Sequence, residues 1–494
     1  MQIRLTAPLH LRHKTILPAS KSISNRALII HALAGGKDLP KNVSDCDDTF
    51  VMVRALMQTD DPIDIMAAGT AMRFLSAYWS VNEGTHTLTG TARMKQRPIG
   101  ILVNALRTLG AQIEYVETEG YPPLRISGGL HEGGRLSLPG DVSSQYISAL
   151  LMIGPVLRKG LELELTGQVI SRPYIDLTLK LMKDFGAQAE WTDERHIKVE
   201  PQPYRPTPYY IENDWSAASY WYEMMALTPD KDAEIVLTGL FADSAQGDSA
   251  VHGLFEPIGV HTEFFCDDDG IPCVRLTKQP IATERLEYDF VNQPDLAQTF
   301  VVTCAMLGLP FRFTGLQSLK IKETDRISAL IRELDKLGYP LHEACGSELF
   351  WDGQRTEVRP HPAIDTYEDH RMAMAFAPCC FVVPEIYINH PQVVSKSYPH
   401  YWDQHEVCEK ESLLAAVSKQ IEYYNDEELD RFRGKDSSAY SETETDEFRD
   451  VLYTMRDDEV AGWVRSLQLR GVPLPDALKD EVFLIIGERR FDHA

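Results

Sequence analysis

The sequence predicts an α/β fold assembled from repeated, subdomain-sized units and followed by a C-terminal extension. Three observations predict it. First, a β-branched run ending in Thr-Gly recurs as THTLTG to Gly90, LELELTG to Gly167, AEIVLTG to Gly239 and PFRFTG to Gly315, with the glycines 77, 72 and 76 residues apart. Second, 19 to 23 residues beyond each comes an apolar-periodic stretch, a glycine and an alternating run: LRTLGAQIEY with Gly110, LMKDFGAQAEW with Gly186, FEPIGVHTEF with Gly259 and LDKLGYPLHE with Gly338. That is the pattern of a helix closed by a left-handed glycine and followed by a strand. Third, one more period on either side falls on KTILPASKS near residue 17 and IYINHPQVVSKS near residue 390, strand-like runs that lead into loops. Six copies of a strand–loop–helix–strand unit therefore span residues 1 to about 408. A period this long fits α/β subdomains and not a solenoid of small repeats.

Composition narrows the function. A chain of 494 residues has room for two to four domains, and 44% hydrophobic with 25% charged residues excludes wholesale disorder. Lys and Arg number 49 against 73 Asp and Glu, a net charge of −24, which argues against a nucleic-acid surface. The eight cysteines form no C-x-x-C pair and no zinc spacing, so a reduced compartment fits. MQIRLTAPLH carries no apolar signal core, and the longest uncharged stretch, Leu296 to Phe311, is 16 residues, too short to span a bilayer. A cytoplasmic protein with no membrane partner is expected.

The loops after the repeated strands carry the functional signal: SKSISNR (20–26), ARMKQRPIG (92–100), ISRPYID (170–176), LKIKETDR (319–326) and VSKSYPH (394–400). They place Lys21, Arg26, Arg93, Lys95, Arg97, Arg172, Lys320, Lys322, Arg326 and Lys396 at equivalent positions, mostly just ahead of a helix. Helix N-termini already favour anions. If like ends of the repeats face together, these loops form one cationic cleft in an acidic protein, suited to a small, multiply charged anion.

Nine motifs occur in order: LPASKSISNRALI, AAGTAMRF, KQRPIG, SSQYISALL, SRPYIDLTL, PDLAQTF, IKETDR, EDHRMAMAF and SKSYPHYW. Together, over about 400 residues, they resemble the 5-enolpyruvylshikimate-3-phosphate (EPSP) synthase family, the 3-phosphoshikimate 1-carboxyvinyltransferases. The resemblance implies a two-domain enolpyruvyl transferase fold, three α/β units per domain, with a cleft between. It implies one domain at 21–211, a second from 1–20 and 212–408, with hinges near Ala19-Ser20 and Ile211-Glu212. Residues 409–494 fall outside it. They are acidic, and read as a polar linker over Asn425–Thr445 with a possible small helical module at 451–471 and 478–490.

The implied reaction joins shikimate 3-phosphate to phosphoenolpyruvate with loss of phosphate, without metal or organic cofactor. The implied catalytic residues are Asp295, which accepts the 5-hydroxyl proton, Glu323, which relays a proton at the methylene, and Lys21 between the substrates. Shikimate 3-phosphate is assigned to Lys21, Ser22, Arg26, Ser143, Ser144, Gln145, Ser171, Tyr174, Asp295, Ser318 and Lys322. Phosphoenolpyruvate is assigned to Lys21, Gly69, Arg97, Gln145, Arg326, Arg371 and Lys396. Both partners are small molecules, and the protein is expected to act as a monomer. Plainer roles stay open: Asp295 as a first-turn helix acid, Glu323 as an ion-pair partner, Ser143-Ser144 as turn and cap residues. His370 reads as structural or orienting.

Ala67 and Phe74 stand where the family usually has asparagine and proline, and Ser318 where asparagine is common. The short stretch Asp48 to Gly69 implies a missing strand pair. An enolpyruvyl transferase for UDP-N-acetylglucosamine is the alternative; that family carries a cysteine on a mobile loop of the first domain, whereas here Cys46 is the only cysteine before Cys266.

Overall fold

The computed structural model describes residues 2–57, 61–404, 409–411 and 423–455 (apart from 425, 436 and 438), with isolated positions between 460 and 482. The chain divides into two compact units, Met1–Lys410 and Glu411–Ala494.

In the first unit the repeat takes physical form as a four-stranded sheet. The Thr-Gly strand Leu161–Thr166 lies parallel to Gly134–Pro139 and antiparallel to His196–Val199, with Ala189–Trp191 outermost. Its alternation sets the faces: Leu161, Leu163 and Leu165 are buried, whereas Glu164 and Thr166 point outward. A helix joins the parallel pair, and a second helix follows the Thr-Gly strand. The same arrangement recurs around Thr85–Thr89 and Phe311–Thr314. As expected, each second helix runs into a glycine in the left-handed region, with φ of 108°, 87°, 106° and 81° at Gly110, Gly186, Gly259 and Gly338.

Two sheets are closed by the chain's first residues. Gln2–Thr6 runs antiparallel to Ile386–Asn389, and Arg12–Ile16 runs parallel to Glu234–Thr238. Here the structure corrects the repeat alignment. Arg12–Ile16 is the outer, parallel neighbour of a Thr-Gly strand and not a sixth Thr-Gly strand itself. Sequence period alone cannot separate the two roles, because both are β-branched runs that exit toward a helix. Five four-stranded sheets result among the described residues. The sixth unit keeps its helices, Lys21–Leu33 and Asp47–Met57, but its strand pairing is reduced to one parallel bridge, Lys41↔Tyr210. Between Asp48 and Gly69, where a strand pair is expected to be missing, the described residues hold one two-residue strand, Ile63–Asp64, parallel to Thr85–Thr89.

The helix that should follow Arg12–Ile16 arrives some 200 residues later as Trp215–Leu227. Between them the chain leaves and returns side by side: Ala19 bridges Asn213, Ser20 N–H donates to Glu212 C=O at 2.9 Å, and Asp214 N–H donates to Pro18 C=O at 2.9 Å. The Glu212 carboxylate ties this crossing down by accepting from Trp215 Nε1, Ser244 Oγ and Gln246 Nε2. Every residue of Trp215–Leu227 except Ser216 is buried, so this helix is the axis of its core together with Ala297–Leu307.

The second unit departs from expectation. Asn425–Thr445 reads as a polar linker, yet Leu429 and Phe432 of the turn Glu427–Phe432 lie in a core with Phe448, Trp463 and Leu467. Asp426 is fully buried, paired with Arg470 and accepting from Trp463 Nε1 at 2.9 Å. Glu442–Thr454 begins with a Ser441/Glu444 capping box. The polar residues of this stretch are caps and ion-pair partners. The reading of a helix at 478–490 falls largely outside the described residues.

Candidate active site

Two carboxylates sit in a cage of cations. Asp295 occupies the tight turn Pro294–Leu296 ahead of Ala297–Leu307. Its Oδ2 accepts from Arg371 Nη2 at 2.9 Å, and its Oδ1 lies 3.3 Å from Arg326 Nη1 and 3.6 Å from Lys322 Nζ. Burial alone would raise this carboxyl, but Arg371, Lys322 and Arg326 outweigh burial and hold it far below the ordinary carboxylate range. Glu323 is 3.0 Å from Arg326 Nη2 and 3.2 Å from Lys396 Nζ. Burial is again overridden, by Lys396 and Arg326 with help from Arg97, so Glu323 too is held ionised.

Arg326, the first residue of Arg326–Lys336, organises the cage. It is 1% exposed and makes a forked pair with Asp369, Nε to Oδ2 at 2.6 Å and Nη2 to Oδ1 at 3.2 Å. Asp369 also caps His370–Phe376, which positions Arg371. His370 is buried with neither ring nitrogen hydrogen-bonded among the described residues, its Nδ1 lying 3.8 Å from Asp369 Oδ1. Burial and the neighbouring Lys21 and Arg371 keep it neutral, well below its usual pKa.

Lys21, Arg93, Ser171 and Tyr174 bring further groups from earlier in the chain. Lys21 opens its helix behind the Ser20 cap, with Nζ 3.2 Å from Asp48 Oδ2. Burial lowers its pKa, but Asp48, Cys46 and Glu323 more than compensate, so the ammonium stays charged. Arg93 Nη2 reaches the Glu323 carbonyl at 3.4 Å. Ser171, at φ 54°, donates its N–H to Val291 C=O at 3.0 Å. Tyr174 places its hydroxyl 3.4 Å from Asp295 Oδ2 and 3.3 Å from Asp248 Oδ1.

Three guanidiniums, two buried (Arg26, Arg73) and one half-buried (Arg97), have no carboxylate partner among the described residues. Arg26 is held by neutral acceptors: Thr178 Oγ1 at 2.7 Å, Ser22 C=O at 2.9 Å and Ser148 Oγ at 3.2 Å. Phe74 lies beneath it, 5.3 Å from Arg26 Cζ to the ring centroid, so the departure at 74 adds a cation–π support. Burial lowers Arg26 to about 10, still charged at neutral pH. Arg73 and Arg97 converge over Gly69: a Cβ there would lie 2.4 Å from Arg73 Nη1 and 2.5 Å from Arg97 Nη1. A side chain at 69 would displace the two guanidiniums that occupy its space. Gln145 joins this corner through Thr70 Oγ1 at 3.0 Å.

The basic loops do not all converge. Lys95 pairs with Glu117, Lys320 with Glu343, and Arg172 stacks on Trp191 at 4.1 Å, all at the surface. Ser143 caps Ser144–Ile153 by accepting from Gln145 N–H, and Ser318 lies in the turn Gln317–Ile321. Sequence reasoning missed Asp48, Arg73, Asp248 and Asp369 as site residues. Arg73 had a signal, its place one helical turn after Gly69, and Asp369 stood inside the EDHRMAMAF motif beside Arg371; Asp48 and Asp248 had none, since an isolated Asp has no distinguishing pattern.

The matching family model is EPSP synthase (3-phosphoshikimate 1-carboxyvinyltransferase), over residues 53–405. A 3-phosphoshikimate 1-carboxyvinyltransferase of Bacteroides fragilis is 62% identical over 403 residues, 82% of this chain and 97% of the relative. One from a Sulfurovum species is 36% identical over 415 residues, 78% and 94% of the two chains. Among solved structures, EPSP synthase from Acinetobacter baumannii matches with a TM-score of 0.67 at 19% identity, covering 83% of this chain and all of that one. That structural likeness concerns the fold.

Proposed function

The chain belongs to the EPSP synthase family, and on that premise we propose how its cleft carries out the reaction. The enzyme transfers the enolpyruvyl group of phosphoenolpyruvate to the 5-hydroxyl of shikimate 3-phosphate and releases phosphate. The observation that carries the assignment of roles is the pair of caged carboxylates, Asp295 and Glu323, beside three guanidiniums that lack a carboxylate partner.

Arg26 forks onto the shikimate carboxylate, a planar geometry that lysine cannot reproduce. Ser143, Ser144, Ser171 and Lys322 hold the 3-phosphate, with Tyr174 and Gln145 lining that pocket. Arg97, Lys396 and the backbone at Gly69 take the phosphoenolpyruvate phosphate, and Arg73 joins them. Arg371 and Arg326 face its carboxylate. Arg326 is already committed to Asp369, so it acts chiefly by fixing Asp295 and Glu323. Asp295 takes the 5-hydroxyl proton as the oxygen attacks C2, and a proton passes to C3 through Glu323 and Lys21. The tetrahedral intermediate then loses phosphate and returns a C3 proton to Glu323.

Residues 21–211 form one lobe and residues 1–20 with 212–408 the other, joined at the paired crossing of Ala19 and Asn213. Closing the lobes excludes water from a hydrolysable intermediate. Phosphate release measured with each substrate omitted in turn tests the reading. Release that needs both substrates supports it; equal release with UDP-N-acetylglucosamine, the reading the comparisons favour less, overturns it.

A further inference from the structure

Asp248 is a buried carboxylate that the reaction as described does not use. It lies in the turn Gly247–Ala250, is 3% exposed, and among the described residues has no ion-pair partner. Its oxygens are met by two hydroxyls instead. Ser216 Oγ donates to Oδ2, from the one residue of Trp215–Leu227 that is not buried, and the Tyr174 hydroxyl lies 3.3 Å from Oδ1. That same phenol is 3.4 Å from Asp295 Oδ2. A phenol has one proton to give, and here it stands between two carboxylates.

The two carboxylates have opposite surroundings. Asp295 faces Arg326, Arg371 and Lys322 directly. Asp248 is faced by Tyr174 from the other half of the cleft, by Ser216 and Asp214 from the Trp215–Leu227 end, by Asp295, and by the Arg371 guanidinium. Burial and the Asp295 charge push Asp248 up to about 6, against the opposing pull of Arg371 and the Ser216 hydrogen bond. A proton taken by Asp295 therefore sits on a very strong acid, and Asp248 offers it a more stable place. Acid–base pairs are recognised by such divided environments.

We propose that the Tyr174 hydroxyl and the Asp248 carboxylate form a proton relay that carries the 5-hydroxyl proton away from Asp295. The step balances. The substrate O–H bond breaks and an Asp295 O–H bond forms; Asp295 then donates that proton to the Tyr174 oxygen while the Tyr174 proton passes to Asp248. The net result is neutral Asp248, an unchanged phenol and an Asp295 carboxylate again ready to accept. Contacts of 3.3 and 3.4 Å are long and tighten in the loaded site, as catalytic hydrogen bonds do. Because Tyr174 belongs to residues 21–211 and both acids do not, the relay exists only where the two halves meet, so the proton has its exit only in the closed site. The inference rests on the proposed reaction and assigns two positioning groups that act through Asp295.

The test measures kcat and both KM values against pH for the wild type, Asp248→Asn, Tyr174→Phe and the double variant, with thermal unfolding of each. Asp248→Asn keeps an acceptor oxygen for one hydroxyl, presents an N–H to the other and cannot take a proton. It is expected to lower kcat about tenfold or more, leave the phosphoenolpyruvate KM within about twofold, and remove the acid limb of kcat near pH 6. Tyr174→Phe is expected to match that kcat loss, and the double variant to be no slower than the slower single one. Asp248→Asn with full kcat and the wild-type acid limb overturns the relay, as do losses that multiply in the double variant. Should Asp248→Asn fail to fold, Tyr174→Phe decides: an unchanged kcat and acid limb overturns the proposal. A wild type that turns over shikimate 3-phosphate and phosphoenolpyruvate upholds the reaction whatever the variants do, and one that does not sinks both.

Discussion

Gly69→Ala is a one-carbon perturbation with a calculable consequence. The added Cβ would stand 2.4 Å from Arg73 Nη1, 2.5 Å from Arg97 Nη1 and 2.9 Å from Arg97 Cζ. Ordinary carbon contacts begin near 3.5 Å, so both guanidinium heads must retreat by about 1 Å. Arg73 has little freedom to do so. It is 6% exposed, and its Nη1 donates to the Gly69 carbonyl at 2.6 Å. A shift of that size costs most of one charge-assisted hydrogen bond to a bound phosphate, about 1.5–3 kcal/mol, or roughly tenfold to a hundredfold in affinity. The loss should fall on phosphoenolpyruvate alone, because Arg26 is supported by Thr178, Ser148 and Phe74 and not by this corner. Steady-state KM for each substrate, with the affinity for shikimate 3-phosphate measured separately by calorimetry, separates the two. A folded Gly69→Ala enzyme whose phosphoenolpyruvate KM stays within twofold of wild type would refute the reasoning.

Other outcomes follow from the same geometry. Lys396→Ala removes the cation 3.2 Å from Glu323 Oε1 and should weaken phosphoenolpyruvate by about 2 kcal/mol, roughly thirtyfold. It also removes the largest influence opposing burial at Glu323. The folded pKa of that carboxyl therefore rises, which a carboxyl NMR titration reads directly; a value that stays put or moves down contradicts the assigned ion pair. Arg470→Ala leaves Asp426 buried without its partner at a cost of about 3–5 kcal/mol. Limited proteolysis should then cut within 411–494 while Met1–Lys410 survives, and an uncut extension would show the pair to be dispensable. Truncation after Glu411 should keep kcat/KM within a few-fold, since every assigned residue precedes it; a loss of about a hundredfold in a folded, monodisperse protein would place the extension in the active structure.

The repeats were legible because each unit must close a helix with a left-handed backbone and then bury one face of a strand. Gly110, Gly186, Gly259 and Gly338 and the alternation of LELELT record those demands directly. The exchange of strands between the chain's two ends was not legible. Arg12–Ile16 carries the same local pattern whether it lies at the centre of a sheet or beside its parallel partner, and only Glu234–Thr238 decides. In the site, basic residues in equivalent loops announced a cationic cleft, but not which would be surface pairs. Lys320 and Lys322 are two residues apart, yet one pairs with Glu343 outside and the other faces Asp295. Asp248 was invisible because its importance comes from burial and from partners in distant segments. Asn425–Thr445 read as a linker because a polar composition looks the same whether its charges are solvated or, like Asp426 and Arg470, buried against one another.

The central claim is that the caged carboxylates run an addition and elimination in which C3 of phosphoenolpyruvate gains a proton and later gives one back. Running the enzyme in D2O with shikimate 3-phosphate and unlabelled phosphoenolpyruvate, then recording deuterium at the product methylene by NMR or mass spectrometry, tests it most directly. The account predicts deuterium at that methylene in the wild-type product, with label and turnover falling together in Glu323→Gln. Full turnover by the wild type to a product whose methylene carries only protium would contradict it.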